Sequence, residues 1–247
     1  MSDDEAFIRA IVANPGDDAP RLIYADWLEE RDDPRGMFLR VANAFERANP
    51  TGTSKAALKA FNTEWKRIDP VWAARVSRPP LGICCETLSI THCSTPIQLT
   101  DFVRIEADLQ ANLPPQYKAF LLNHNGGIPE PKWFSLSARP VPELAVRFYP
   151  ATEETPAVEK GSRYYGNIFQ ATEGLYGGPH PPPPPRRLIP IMAASFPVSI
   201  LIGVVGVRAG CIYRQYEPHL EGDMMLGGPE KIADNLATFL SGFRRRQ

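Results

Sequence analysis

Residues 113–127 read LPPQYKAFLLNHNGG, and their reading decides the fold of the larger part of this 247-residue chain. Pro114 and Pro115 suit a helix start, because the amides of a first turn have no internal acceptor to lose. Tyr117, Phe120, Leu121 and His124 then recur at i, i+3, i+4 and i+7, which makes one side of the helix a broad apolar wedge. Asn125, Gly126 and Gly127 tolerate the left-handed conformation, so the spacing predicts a helix end and a sharp reversal into IPEPKWFSL. Such a helix is built to pack against something, and its aromatic content needs no active site.

Upstream, Thr100 is the expected cap of a helix carrying Phe102, Ile105 and Leu109, with Asp101 in its first turn, where negative charge favours the helix dipole. The turn ANLPP joins it to the wedge helix. Before it, LGICCETLSITHC (81–93) alternates side chains as a strand or hairpin does. Downstream, LAVRFYP (144–150) and YYGNIFQAT (164–172) read as strands, and residues 200–207 and 211–216 as a hairpin around RAG. The apolar window 191–207 is too short for a bilayer-spanning helix and is interrupted by Pro197, so paired strands explain it better. Ile232, Leu236, Phe239, Leu240 and Phe243 predict a final amphipathic helix covering one side of the sheet, with the cations of FRRR (243–246) at its C-terminus.

The N-terminal part reads differently. Ser2 and Glu5 form a capping box ahead of Phe7, Ile8, Ile11 and Val12. Asp18 is the expected cap of a second helix, with Pro20 in its first turn, and a third follows from Met37 through Phe45. Ile8, Ile11, Ile23, Trp27, Phe38 and Phe45 are the expected shared core. Leu58, Phe61, Trp65 and Ile68 add another amphipathic stripe, and RPP (78–80) marks a boundary. The expected organisation is a helical module over 1–80 and an α+β domain over 81–247, whose mainly antiparallel sheet packs against helices.

Two resemblances bear on these modules. DDAPRLIYADWLEERDDPRGMFLRV (17–41) resembles a short repeat-companion domain that precedes leucine-rich repeats or other modules in multi-domain bacterial proteins. It covers about residues 1–45 and implies an architecture without an activity. DFVRIEADLQANLPPQYKAFLLNHNGGIPEPKWF (101–134) resembles the opening of the SUKH superfamily, carried by Ile105, Glu106, Leu109, Leu113, Pro114, Tyr117, Phe120, Leu121, Asn125, Gly126 and Gly127. RRLIPIM (186–192), GCIYRQYE (210–217) and LATFLSGF (236–243) are similar to that family's later elements. The chain departs from many relatives at 193–204, where AASFPVSILIGV stands in place of a Gly-Asp-Asn segment. The resemblance implies a non-catalytic domain, since the superfamily includes fungal cell-wall-synthesis regulators and bacterial immunity proteins that bind toxins, frequently nucleases.

The remaining features exclude more than they assign. Twenty-seven Lys and Arg against 28 Asp and Glu give a net charge of −1, without a global attraction to nucleic acid or an anionic membrane. The acidic opening MSDDEAF lacks the positive charge of a secretory signal, so a cytoplasmic protein is expected. Cys84, Cys85, His92 and Cys93 alternate faces on a strand rather than converging on zinc, and His92, His124, His180 and His219 lack ligand spacing. No metal, cofactor or catalytic residue is expected. The loop PHPPPPPRR (179–187) must be polyproline II, as a stiff connection or a docking segment for an SH3-type partner.

Function is therefore expected to lie in binding. The leading expectation is an immunity-type protein that neutralises a toxin, with Tyr213, Arg214, Tyr216 and Glu217 as the partner-binding residues, because aromatics and arginine carry much of interface energy. The alternatives are a regulatory adaptor or scaffold related to the cell-wall regulators, and a hydrolase using the acidic residues near Asp26.

Overall fold

The computed structural model of the chain describes residues 2–14, 16–47, 63–64, 67–76, 88–136, 139–152, 166–176, 188–195, 198–216 and 228–244. Cys84, Cys85, Glu217, the stripe residues Leu58, Phe61 and Trp65, and the proline-rich loop lie outside them. The chain divides into two compact units, Met1–Arg78 and Pro79–Gln247.

In the first unit, α1 (Asp3–Ala13) begins at Ser2, whose hydroxyl accepts the Glu5 amide at 3.3 Å. Helix α2 (Ala19–Glu29) has no cap from Asp18; the neighbouring Asp17 carboxylate accepts the Ala19 amide instead, at 3.0 Å. Its buried side is Arg21, Tyr24, Ala25 and Leu28, so Ile23 falls on the far side and is 57% exposed. The expected core was thus one residue out of phase here: the stripe that buries the Tyr24 ring also buries an arginine, which an apolar count discards. Arg21 Nε donates to the carbonyl of Val76 at 2.8 Å, satisfying an orphan acceptor at the end of α4 (Pro70–Val76). Helix α3 (Pro34–Arg47) contributes Phe38 and Leu39, and Tyr24, Trp72 and Phe38 form a chain of ring contacts at 6.2 and 5.9 Å.

The second unit opens with β1 (Ser89–Thr91), then α5 (Asp101–Leu109) and the wedge helix α6 (Pro115–Asn123). Thr100 makes no side-chain cap; Asp101 accepts the Gln98 amide at 2.7 Å and holds the turn. Helix α6 ends at His124, whose φ is −140°, and within this turn positive φ falls on Gly126 and Gly127 rather than on Asn125. Asn125 has another task than a left-handed cap. Its buried amide group donates to the Thr95 carbonyl at 2.7 Å and accepts the Ala151 amide at 2.8 Å, tying three segments together.

Strands β2 (Ile128–Glu130), β3 (Trp133–Leu136), β4 (Arg139–Phe148), β5 (Leu188–Ala194), β6 (Val198–Gly203), β7 (Ile212–Tyr216), β8 (Glu230–Ala233) and β9 (Phe243–Arg244) complete the β structure. Strand β2 pairs with β1, and the other seven form one antiparallel sheet in the order β8-β7-β6-β5-β4-β3-β9. The expected strand over 164–172 is instead helix α7 (Ile168–Tyr176) across its described part. Asn167 accepts the Gln170 amide at 2.9 Å as a cap, and Ile168, Ala171, Thr172 and Leu175 keep helical rather than alternating spacing. The expected final helix is also corrected. Only Leu236–Leu240 forms helix α8, capped by Asn235, while Ile232 lies in β8 and Phe243 in β9. Phe243 still points inward, so its spacing imitated a longer helix, and Arg244 lies on a strand rather than at a helix end.

The two sheet faces differ. On one, Phe148 meets Phe120 of α6 at 4.8 Å and Phe134 meets Phe239 of α8 at 5.3 Å, so the wedge has found its sheet. On the other, Leu188, Leu201, Cys211 and Tyr213 pack with Leu175 of α7.

Candidate binding surface

The strand pairing decides where each proposed contact residue lies. Leu201 pairs with Tyr213, and Ile200 with Arg214, so successive residues of β7 point to opposite faces. Tyr213, 7% exposed, belongs to the α7 side. Arg214 and Tyr216 share the opposite side with Phe148, Met192 and Ile200. The sequence patch is therefore split: Arg214 and Tyr216 are together, Tyr213 is behind them, and Glu217 lies outside the described residues.

Arg214 is 6% exposed yet fully engaged in electrostatic contacts. Its Nε lies 2.6 Å from Glu143 of β4, and its Nη1 lies 3.7 Å from Glu230 of β8. Its Nη2 donates to the Tyr216 hydroxyl, and the guanidinium sits 4.4 Å from the centre of the Tyr216 ring. A planar cation clamped by two carboxylates gives the half-buried ring a fixed orientation. The arrangement supplies a pre-oriented aromatic anchor, which ionic contacts hold from below.

A second feature was not anticipated. Among the described residues of the second unit, the exposed large aliphatics are Leu99, Val103, Val205 and Val207. They belong to α5, its lead-in and the turn after β6. Val103, Ala107, Ala111, Val204 and Val205 line an open groove of about 740 Å³ between these elements, together with Glu106, Gln110, Asn112 and Gly206. The signal was present in α5, where Val103 and Ala107 stand one turn apart beside the Phe102, Ile105 and Leu109 stripe that faces the core, with Ala111 just past the helix end.

The acidic residues near Asp26 are engaged as helix braces. Arg40 of α3 pairs with both Asp26 and Glu29 of α2, and Arg35 pairs with Asp33 at 2.7 Å and Asp4 at 3.2 Å. The Arg35 guanidinium holds the Asp33 carboxyl below its usual range, while burial and a hydrogen bond to Asp4 push the Tyr24 phenol up. Among the described residues there is no group of three or more His, Cys, Asp and Glu placed to hold a metal, and no helix is long and apolar enough to cross a membrane.

Comparison with family models matches residues 96–242 to the SMI1 / KNR4 family (SUKH-1), more than half of the chain. Comparison with curated proteins gives no significant match, and comparison with solved structures gives none either.

Proposed function

We propose, from the premise that this chain belongs to the SMI1 / KNR4 family (SUKH-1), that it is a cytoplasmic immunity-type protein that binds and neutralises a toxin domain. The family includes immunity proteins and cell-wall regulators, and its members are generally non-catalytic. The observation that supports binding most is the Tyr216 ring held by Arg214, itself held by Glu143 and Glu230. Ordering an aromatic side chain before contact lowers the entropy lost on association, and Tyr and Arg are the residue types that carry interface hot spots.

In this reading Tyr216 touches the partner, together with Glu217, the next residue in the sequence. Arg214 and Tyr213 act from within the sheet, Arg214 orienting the ring and Tyr213 fixing the strand from the opposite face. The test is co-purification of a toxin domain with the full chain, then measurement of affinity for Tyr216→Ala and Glu217→Lys. Unchanged affinity in both removes this surface from the interface.

The regulatory adaptor is the second reading, favoured by the separate helical unit at Met1–Arg78, which offers room for another partner. Capture of one toxin favours immunity, whereas capture of several unrelated cell-wall or signalling proteins favours the adaptor.

A further inference from the structure

We infer that Arg147 of β4 is a binding site for a single carboxylate, on the sheet face away from Tyr216. Successive strand residues point to opposite faces, and Phe148 shares the α6 side with Tyr216, so Arg147 lies on the α7 side. The site is therefore independent of the Tyr216 surface.

The first observation is a cation without a counter-charge. Arg147 is half-buried, and its Nε is buried with no acceptor among the described residues. Among the described residues it has no ion-pair partner either. The other buried or half-buried arginines there are all answered. Arg21 donates to the carbonyls of Val76 and Asp17, Arg35 pairs with Asp33 and Asp4, and Arg40 with Asp26 and Glu29. Arg75 pairs with Glu5 at 2.9 Å, and Arg214 with Glu143 and Glu230. Those last two are the carboxylates of the sheet's described strands, and both are committed on the far face.

An arginine with a buried stem and a head in water is ordinary. Here part of the head itself is withdrawn from water. Burial accordingly pulls the Arg147 guanidinium below its usual range, with Tyr149 acting in the opposite sense. Withdrawing a charge without pairing it is costly, and an unsatisfied group of this kind marks a place that a ligand completes.

The second observation is the chemistry beside it, which selects the ligand. The strand register sets Arg147, Ala193, Ser199 and Gln215 in one row across β4, β5, β6 and β7. The row thus holds no other charge. Both Nη groups of Arg147, unlike its Nε, reach the surface, and the planar pair matches the two oxygens of a carboxylate. A phosphate dianion is a poorer fit, because it calls for a second cation. Lys231, which shares this face through its pairing with Tyr213, is taken by Asp234.

The experiment titrates the full chain with sodium acetate, with the capped peptide acetyl-Ala-Glu-Ala-amide and with its Gln counterpart, each replacing sodium chloride at constant ionic strength. The readout is the Nε–Hε resonance of Arg147, identified by its loss in Arg147→Lys. The expected result is a saturable shift with acetate and with the Glu peptide, at a dissociation constant on the order of 10 mM or below, and none with the Gln peptide. Binding of the Glu peptide roughly tenfold tighter than acetate assigns the carboxylate to a partner protein's side chain, and comparable binding assigns it to a small carboxylate; both support the site. No saturable shift up to about 100 mM, or an equal shift with the Gln peptide, overturns the inference.

Urea unfolding separates binding from packing. Since the charge is unpaired in the free chain, Arg147→Met should hold or raise the midpoint in chloride, and acetate should raise the midpoint of the parent but not of the variant. A midpoint lowered by Arg147→Met, with no acetate dependence in the parent, overturns the inference by giving Arg147 a packing role alone. The parent titrations decide the matter even where the variant does not fold.

Discussion

Arg214 of β7 and Glu143 of β4 meet at 2.6 Å across the two strands that lie between them, β6 and β5. Both side chains are buried or nearly so, at 7% and 13% exposure. Removing one partner strands the other charge in a desolvated site, which costs about 3–5 kcal/mol, whereas replacing both with apolar groups is close to neutral. Arg214→Met should therefore lower the urea midpoint strongly, and Arg214→Met with Glu143→Leu should recover most of the loss. Equal loss in the single and double variants would show that the pair is not coupled.

The wedge helix makes a second prediction. Phe120 is fully buried and its ring lies 4.8 Å from that of Phe148. Phe120→Ala should destabilise the second unit by about 3–5 kcal/mol, the usual cost of a large aromatic cavity. The check is denaturant unfolding followed by hydrogen exchange at the amides of β4 and β5, where protection should fall.

Gly126 supplies a third. At φ +72° it lies where a side chain is strained, and an added Cβ would stand 2.6 Å from the backbone nitrogen of Pro150. Gly126→Ala should cost more than the ~1 kcal/mol of a simple glycine replacement. A thermal midpoint equal to that of the parent chain would show that the turn yields.

These positions also show what the sequence could disclose. The wedge helix was legible because its start, its stripe and its end depend on neighbours within a few residues: Pro115, Phe120 and Gly126 each act locally. Helix α7 was not, since the nine residues read as a strand include Asn167, whose capping role appears only once Gln170 is known to be helical. Phe239 and Phe243 pack on one another at 5.5 Å from different elements, so inward spacing alone could not separate a helix from a helix followed by a strand. The Arg214 cluster draws on β4, β7 and β8, and residues so distant in the chain are joined only by sheet topology.

Asp33 gives a pH dependence in the first unit. Its pKa is lowered mainly by the hydrogen bond from Arg35, and its carboxylate also accepts the Arg35 amide at 2.9 Å at the start of α3. A group whose folded pKa is depressed stabilises above its unfolded value and loses that contribution as pH falls through the folded value. The contribution is therefore complete at neutral pH and fades below about pH 4. Amide exchange in α3 should be faster in Asp33→Asn than in the parent at pH 7, and the two should converge in acid. A difference that persists unchanged at low pH would contradict the assignment.

The central claim is that the chain acts by gripping a protein through the surface around Tyr216. The most direct measurement is titration of the captured toxin domain's activity with the purified full chain and with Tyr216→Ala. The account predicts stoichiometric inhibition by the parent and a loss of at least 2 kcal/mol in affinity, roughly thirtyfold, for the variant, whose thermal stability stays near that of the parent. Full toxin activity in the presence of excess parent chain, or equal inhibition by Tyr216→Ala, would contradict it.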